Sequence, residues 1–227
     1  MNDEKLQKLI EILPLRITSI TPQKKRSDRV SLFHEDTFLI GLSGDTLLRH
    51  KIKKGDLLTQ DTLKLIHRDE EFHAIKEACY RYLSRRDHAS DELRLKIVRK
   101  GLDADLADEV LSRLSEEGLL DDLRFAEKFA ADKMEFKQWG PVKIRTALMR
   151  KGVDRKIAQK VTRNLTDNLE QQGICVDLLL KRKKHFLRET DTYKRKQKMY
   201  RYLAGKGFRS PDIRKALEET QSEFDVK

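Results

Sequence analysis

Cysteine is nearly absent from this chain. It has two, Cys79 and Cys175, and both fall on apolar helical or joint positions. A disulfide framework is therefore excluded, and two reduced core thiols are the simplest reading in a reducing compartment. Long hydrophobic runs are missing as well. No stretch approaches the ~20 apolar residues of a membrane-spanning helix, and the start Met1-Asn2-Asp3-Glu4-Lys5 is unlike a secretory signal peptide. The expected location is the cytoplasm, with no membrane partner.

The familiar catalytic signatures are also missing. There is no phosphate-cradling Gly-x-x-x-x-Gly-Lys-Ser/Thr loop and no Gly-x-Gly-x-x-Gly turn; Gly41-Leu42-Ser43-Gly44 lacks the following Lys and reads as a turn. Paired-cysteine zinc spacing and His-Glu-x-x-His are absent too. The one tight group of potential metal ligands, His34-Glu35-Asp36, falls on an expected hairpin turn and reads as solvated charge. Asp121-Asp122 has the look of a nuclease pair, but its position before a helix explains it as a cap. No catalytic residue, metal or cofactor is expected.

What the chain has is charge. Of its 227 residues 38% are charged, as many as are hydrophobic, which implies a thin core. The formal net charge is +11 and its distribution is uneven: +2 over residues 1–70, −2 over 71–120, +4 over 121–172 and +7 over 173–227. An excess that grows toward one end suggests a surface for a polyanion.

It also has an internal repeat. Arg99-Lys100-Gly101-Leu102-Asp103, Arg150-Lys151-Gly152-Val153-Asp154 and Gly205-Lys206-Gly207-Phe208-Arg209-Ser210-Pro211 align, with the glycines 51 and 55 residues apart. Each reads as a basic last helical turn, a glycine in the left-handed C′ position, an apolar residue and a cap for the next helix. The apolar ladder Leu93, Ile97, Leu102, Leu106, Val110 matches Ile144, Leu148, Val153, Ile157, Val161. A second marker, Glu117-Gly118-Leu119-Leu120-Asp121-Asp122, predicts a helix stop, an apolar clasp and a cap, and Gln172-Gly173-Ile174-Cys175-Val176-Asp177 has the same order 55 residues later. Repeats of this length point to a helical array.

These residues also carry a family resemblance. Tyr82-Leu83-Ser84-Arg85-Arg86 with Ser90-Asp91-Glu92-Leu93, then Leu119-Leu120-Asp121-Asp122-Leu123-Arg124-Phe125-Ala126, then Gly140-Pro141-Val142-Lys143-Ile144-Arg145 with Lys151-Gly152-Val153, resemble the RecX family. The resemblance runs from about Ile17 to Leu217, is most specific in the middle repeat and is weakest in the third. It implies three tandem three-helix repeats, no catalytic activity, and binding to the RecA recombinase and its nucleoprotein filament.

The expected fold is mainly α: three tandem three-helix repeats forming an elongated curved array, with a small N-terminal β-containing module. The expected segments are 1–68 for an N-terminal helix and β module, then repeats at 69–119, 120–174 and 175–227. Helices are predicted over 3–13, 70–84, 90–100, 104–117, 122–136, 141–151, 155–171, 177–188, 192–206 and 211–220, with residues 218–227 frayed. Strands are predicted at 17–20, 30–33 and 38–40, with Lys24-Lys25-Arg26-Ser27-Asp28 as a turn.

Candidate contacts to nucleic acid or filament follow the basic runs. They are Arg94, Lys96, Arg99 and Lys100 in the first repeat and Lys143, Arg145, Arg150 and Lys151 in the corresponding helix of the middle one; Lys181, Arg182, Lys183 and Lys184, taken as one turn of charge inside a single helix; and Lys194, Arg195, Lys196 and Lys198. Such side chains neutralise phosphates without reading sequence. Tyr193, Tyr200 and Tyr202 have the aromatic faces to stack on bases, but read first as packing residues, as does Trp139. Taken with the resemblance, the expected function is a monomeric, non-enzymatic regulator of RecA. It would bind RecA and the RecA–DNA filament, touch single- or double-stranded DNA through phosphates, and inhibit ATP turnover and strand exchange in DNA repair and the SOS response. The alternative is a general DNA-binding, architectural or transcriptional protein built from helix-turn-helix-like units.

Overall fold

A computed structural model describes residues 3–24, 26–168 and 171–225. The elements in order are α1 (Asp3–Ile12), β1 (Leu15–Arg16), β2 (Ser19–Gln23), β3 (Arg26–His34), β4 (Thr37–Ser43), α2 (Gly44–Arg49), β5 (Leu57–Leu58), α3 (Gln60–Leu83), α4 (Ser90–Val98), α5 (Ala104–Glu116), α6 (Asp122–Lys137), α7 (Pro141–Arg150), α8 (Arg155–Asn168), α9 (Gln171–Lys181), α10 (Lys183–Phe186), α11 (Thr192–Lys206), α12 (Ser210–Glu219) and α13 (Gln221–Phe224). The fold is mainly α, with three three-helix repeats after a small antiparallel β module. The chain divides into two compact units, one of the residues up to Arg81 with Ile97–Val110, the other of Tyr82–Lys96 with Leu111–Lys227.

In the first unit β2, β3 and β4 form an antiparallel sheet in that order, and β1 pairs with β5. Leu32 lies opposite both Ile20 and Ile40. Leu32, Leu42, Ile17 and Leu58 are almost fully buried, and Leu63 and Ile66 of α3 complete their cluster. A three-stranded sheet gains stability by packing on a helix, and here that helix is α3, which runs unbroken across the expected limit at 68/69. Glu70 fixes the contact. It accepts hydrogen bonds from the Ser43 amide (2.7 Å), the Thr46 hydroxyl (2.8 Å) and Arg29 (2.7 Å). Burial works to raise its pKa, but these donors outweigh it and hold the carboxyl below its usual range. The expected turn at Lys24–Asp28 is shorter than its composition suggests: β3 already begins at Arg26, and Lys25 lies outside the described residues.

Three expectations for the C-terminal region are corrected. Gly173 does not end a helix; it and Asp177 lie inside α9, whose buried face is Gln171, Cys175, Leu178 and Leu179. The basic turn is not inside one helix, because the backbone breaks at Arg182 (φ −110, ψ 15) between α9 and α10. Residues 218–225 are not frayed, since α13 buries Phe224 against Phe186, with ring centroids 6.4 Å apart; 226 and 227 lie outside the described residues. Both cysteines are buried and free, and desolvation pushes Cys79 to about 11 and Cys175 to about 12.

The Gly118 joint forms as its sequence implies. Gly118 is left-handed (φ 72), Leu119 and Leu120 fold back to donate to the Leu114 carbonyl, and Leu120 is buried. Asp121 caps α6 through the Arg124 amide (2.9 Å). Asp122 does something else: it caps α4, accepting from the Ser90 amide (2.8 Å) and hydroxyl (3.1 Å).

Within the second unit, the second helix of each repeat meets the second helix of the next end to end. Gly152, just past α7, has φ 84, and a Cβ there would lie 2.3 Å from Cβ of Asp91 at the start of α4. Gly207, just past α11, has φ 92, and its Cβ would lie 2.3 Å from Cβ of Lys143 at the start of α7. At this second junction the Gly140 amide donates to the Lys206 carbonyl (2.8 Å) and the Val142 amide to the Gly207 carbonyl (3.0 Å). Unpaired donors at a helix N-terminus thus meet unpaired acceptors at the C-terminus of the next, with favourable dipole alignment. The first junction is locked by charge. Glu92 of α4 receives Arg86, with its second N–H bond at 3.2 Å, and lies near His88 (3.3 Å), Lys96 (3.5 Å) and Lys151 (3.5 Å). Burial opposes ionisation of Glu92, yet Arg86 and then Lys151 pull its pKa from 4.5 down to about 2.

These junctions can be tested by substitution. Gly101 has φ 76 but open space around it, so Gly101→Ala carries only left-handed strain of about 1 kcal/mol. Gly152→Ala and Gly207→Ala add an overlap with a neighbouring helix, a further cost of roughly 1–3 kcal/mol. Urea denaturation should separate the two classes, and equal losses at all three positions would contradict the end-to-end contact. Glu92 contributes stability that is complete above pH 4.5 and is lost as pH falls from there toward 2, on the order of 2–3 kcal/mol. Glu92→Gln should flatten the acid limb of stability against pH; a limb as steep as in the parent chain would show that Glu92 is not its source.

Candidate functional site

The basic residues singled out in the sequence fall into distinct environments. In the first repeat Arg94 is half-buried and engaged, while Arg99 and Lys100 are exposed just past α4, with Lys100 also partnered. In the middle repeat Arg145 and Arg150 are exposed and make no hydrogen bond or ion pair among the described residues. They do not form one stripe with their neighbours. Ile144 and Leu148 point inward, and at 100° per residue Lys143 and Arg150 share a side that Arg145 does not. Lys151 is half-buried between Glu92 (3.5 Å) and the Phe129 ring (5.8 Å to its centroid).

In the third repeat Lys181 and Lys184 are exposed on either side of the α9–α10 break. Arg182 lies 4.9 Å from the Tyr202 ring centroid, and Lys183 pairs with Glu223 at 2.7 Å. On α11 Lys194 is exposed, Lys196 donates to Gln221 (3.3 Å) and Lys198 pairs with Glu189 (2.6 Å). Arg195 is the clear correction: it is 6% exposed and its guanidinium ties the carbonyls of Glu189, Thr190 and Phe224 together, so it holds the repeat and does not face solvent. Tyr200 bonds Ser210 (2.8 Å) and Tyr202 packs on Phe186 (5.7 Å), whereas Tyr193 is 71% exposed.

Sequence reasoning passed over two groups. One is the outer face of α8, where Lys156, Lys160 and Arg163 line a shallow cleft of about 510 Å³ with Gln159 and Asn164. Their i, i+4, i+7 spacing was the signal. The other is Lys206, at the junction of α7 and α11. Its ammonium donates to the Lys137 carbonyl (2.9 Å), and Lys143 donates beside it to the Gly205 carbonyl (3.0 Å) while lying 4.8 Å from the Trp139 ring centroid. Burial lowers the Lys206 pKa, and the positive charges of Lys143, Arg182 and Lys137 lower it further. No group of three His, Cys, Asp or Glu among the described residues could hold a metal ion, and no helix among them is long and apolar enough to cross a membrane. The chemistry on offer is phosphate or carboxylate recognition by fixed cations.

Comparison with known proteins gives this surface its context. Residues 15–59 match the Regulatory protein RecX N-terminal domain. Residues 76–114, 121–161 and 170–217 match the first, second and third three-helix domains of RecX. "Regulatory protein RecX" of Clostridium perfringens (strain SM101 / Type A) is 30% identical over 195 residues, 85% of this chain and 90% of that protein. The protein of the same name from Clostridium botulinum (strain Eklund 17B / Type B) is 29% identical over 206 residues, 90% of this chain and 95% of its own length. A crystal structure of regulatory protein RecX superposes with a TM-score of 0.73 at 20% identity, covering 91% of this chain and 98% of that one. RecX from Lactobacillus salivarius gives 0.62 at 24% identity, over 68% and 99%. With all four domain types in order and matches over most of its length, the chain belongs to the RecX family of regulatory proteins.

Proposed function

We propose that this protein regulates the RecA recombinase by binding RecA and the nucleoprotein filament it forms on DNA, lowering ATP turnover and strand exchange. Family membership supports the regulatory part, and the resemblance seen in the sequence supplies the partner. The observation that carries the binding mode is the end-to-end series of second helices in one compact unit, with exposed cations along the repeats that no carboxylate among the described residues neutralises. Arg145, Arg150, Lys181 and Lys184 are of this kind. Lysine and arginine so placed contact phosphates without sequence preference and release counterions. A sequence-indifferent set of cations spread over two successive repeats suits a partner that is itself a nucleoprotein polymer. The protein acts by occupancy, as a cytoplasmic monomer, and has no reaction of its own.

RecA ATP turnover on single-stranded DNA tests this. The rate should fall and saturate as the protein is added; an unchanged rate at saturating protein would refute the proposal. A preference of several kcal/mol for one duplex sequence over random duplex would favour a transcription factor instead.

The contribution of the third repeat is separable. Replacing Lys181 and Lys184 by Gln keeps helix propensity nearly constant. Affinity for single-stranded DNA should fall equally for all sequences, and the slope of log affinity against log salt should shrink by roughly 0.7 for each phosphate the variant no longer touches. An unchanged slope would place both lysines on a merely solvated face.

A further inference from the structure

The two repeat junctions of the second unit have the same backbone design and opposite charge. Glu92 stands nine residues before Gly101, and Lys143 stands nine before Gly152, so the two are equivalent. Lys151 and Lys206 are equivalent in the same way, each immediately before its glycine. At the first junction Lys151 therefore meets a carboxylate, at 3.5 Å. At the second, Lys206 bonds the Lys137 carbonyl, Lys143 bonds the Gly205 carbonyl, and Lys206 and Arg182 both lie over the Tyr202 ring, at 5.9 and 4.9 Å from its centroid, so that Lys143, Arg182 and Lys137 bear on Lys206. Where the first junction is neutralised from within, the second gathers four cations.

These cations are held in place. Lys206 and Lys143 each spend one donor on a helix-terminal carbonyl, at 2.9 and 3.0 Å, and an ammonium has three. Arg182 is steadied by the Tyr202 ring at 4.9 Å, and no carboxylate among the described residues occupies its guanidinium. We propose that the junction of α7 and α11 is a phosphate-binding site, in which Lys143, Lys206 and Arg182, with Lys137 at the edge, grip the phosphodiester backbone of single-stranded nucleic acid. Positively charged groups crowded together without a counter-charge favour an anion, and pre-fixed donors lose little entropy on binding it. The flanking surface, with Lys181 and Lys184 exposed and residues 173–227 carrying net +7, favours a polyanion over a lone carboxylate. The crowding also appears in Lys206 itself, whose ammonium is disfavoured by burial and by these neighbours. A bound phosphate would relieve it.

The site deepens the function proposed above, but its test uses DNA without RecA, so the two stand or fall separately. Affinity for a labelled oligo(dT) is measured across a salt series for the full chain and variants, together with thermal melting. Lys143→Glu rebuilds the charge pairing of the first junction. It should leave the melting temperature unchanged or higher while weakening DNA binding about tenfold or more at low salt. A purely structural lysine would lower both or neither. Lys53→Gln with Lys54→Gln, exposed in the N-terminal unit, controls for loss of net charge and should stay within about twofold of the parent. If Lys143→Glu melts early, the double variant Lys206→Gln/Arg182→Gln decides, with about tenfold weaker binding again expected. Binding within twofold of the parent in the deciding variant, or a loss no larger than in the control, overturns the site. Unchanged DNA binding with loss of the effect on RecA overturns it in favour of an acidic protein surface.

Discussion

The end-to-end joints of the second unit depend on two glycines with nowhere to put a Cβ. A left-handed glycine past a helix end is common, and Gly101 is an ordinary one with open space around it. Gly152 and Gly207 are different, because the next helix starts against them, 2.3 Å from where a side chain would begin. The same motif therefore ends a helix in one repeat and joins two helices in the others. That contact brings the N-terminus of α4 to α7 and the N-terminus of α7 to α11. It sets which side chains face each other across each joint.

Given that frame, side-chain chemistry makes the joints unequal. The first closes on Glu92, whose carboxylate is shared by Arg86, His88, Lys96 and Lys151. The second closes on backbone hydrogen bonds and leaves its cations together. Repeat proteins derive stability from such nearest-neighbour interfaces. One interface here is thereby stabilised by charge pairing, and the other carries unbalanced charge suited to an anionic ligand. The N-terminal unit uses a third arrangement, with Glu70 of the long α3 taking up donors from β3, β4 and α2.

Much of this was legible in the sequence. Helices α4 to α8, α11 and α12 begin and end within a few residues of their expected limits, because Gly101, Gly118, Gly152, Gly207 and the aspartate caps are strong local signals. The Gly173 pattern misled, since order alone does not show whether a helix has ended; the inward set Cys175, Leu178, Leu179 places Gly173 inside α9. Arg195 was legible and overlooked. It lies four and eight residues before Met199 and Leu203, on the buried face, which a uniform run of charge disguises. The contacts Asp122–Ser90, Glu92–Lys151 and Lys206–Lys137 were not legible, because each joins residues more than 30 positions apart.

The most direct test of the end-to-end joints is native-state hydrogen exchange at Gly140 and Val142. Amides at the start of an isolated helix have no intrahelical acceptor and exchange quickly. Here both are bonded to carbonyls of Lys206 and Gly207, at 2.8 and 3.0 Å. Protection comparable to that of the α7 interior is expected, and it should be lost from both amides together when α11 is destabilised. Rapid exchange at both amides in the intact protein would contradict the joint and the arrangement of helices built on it.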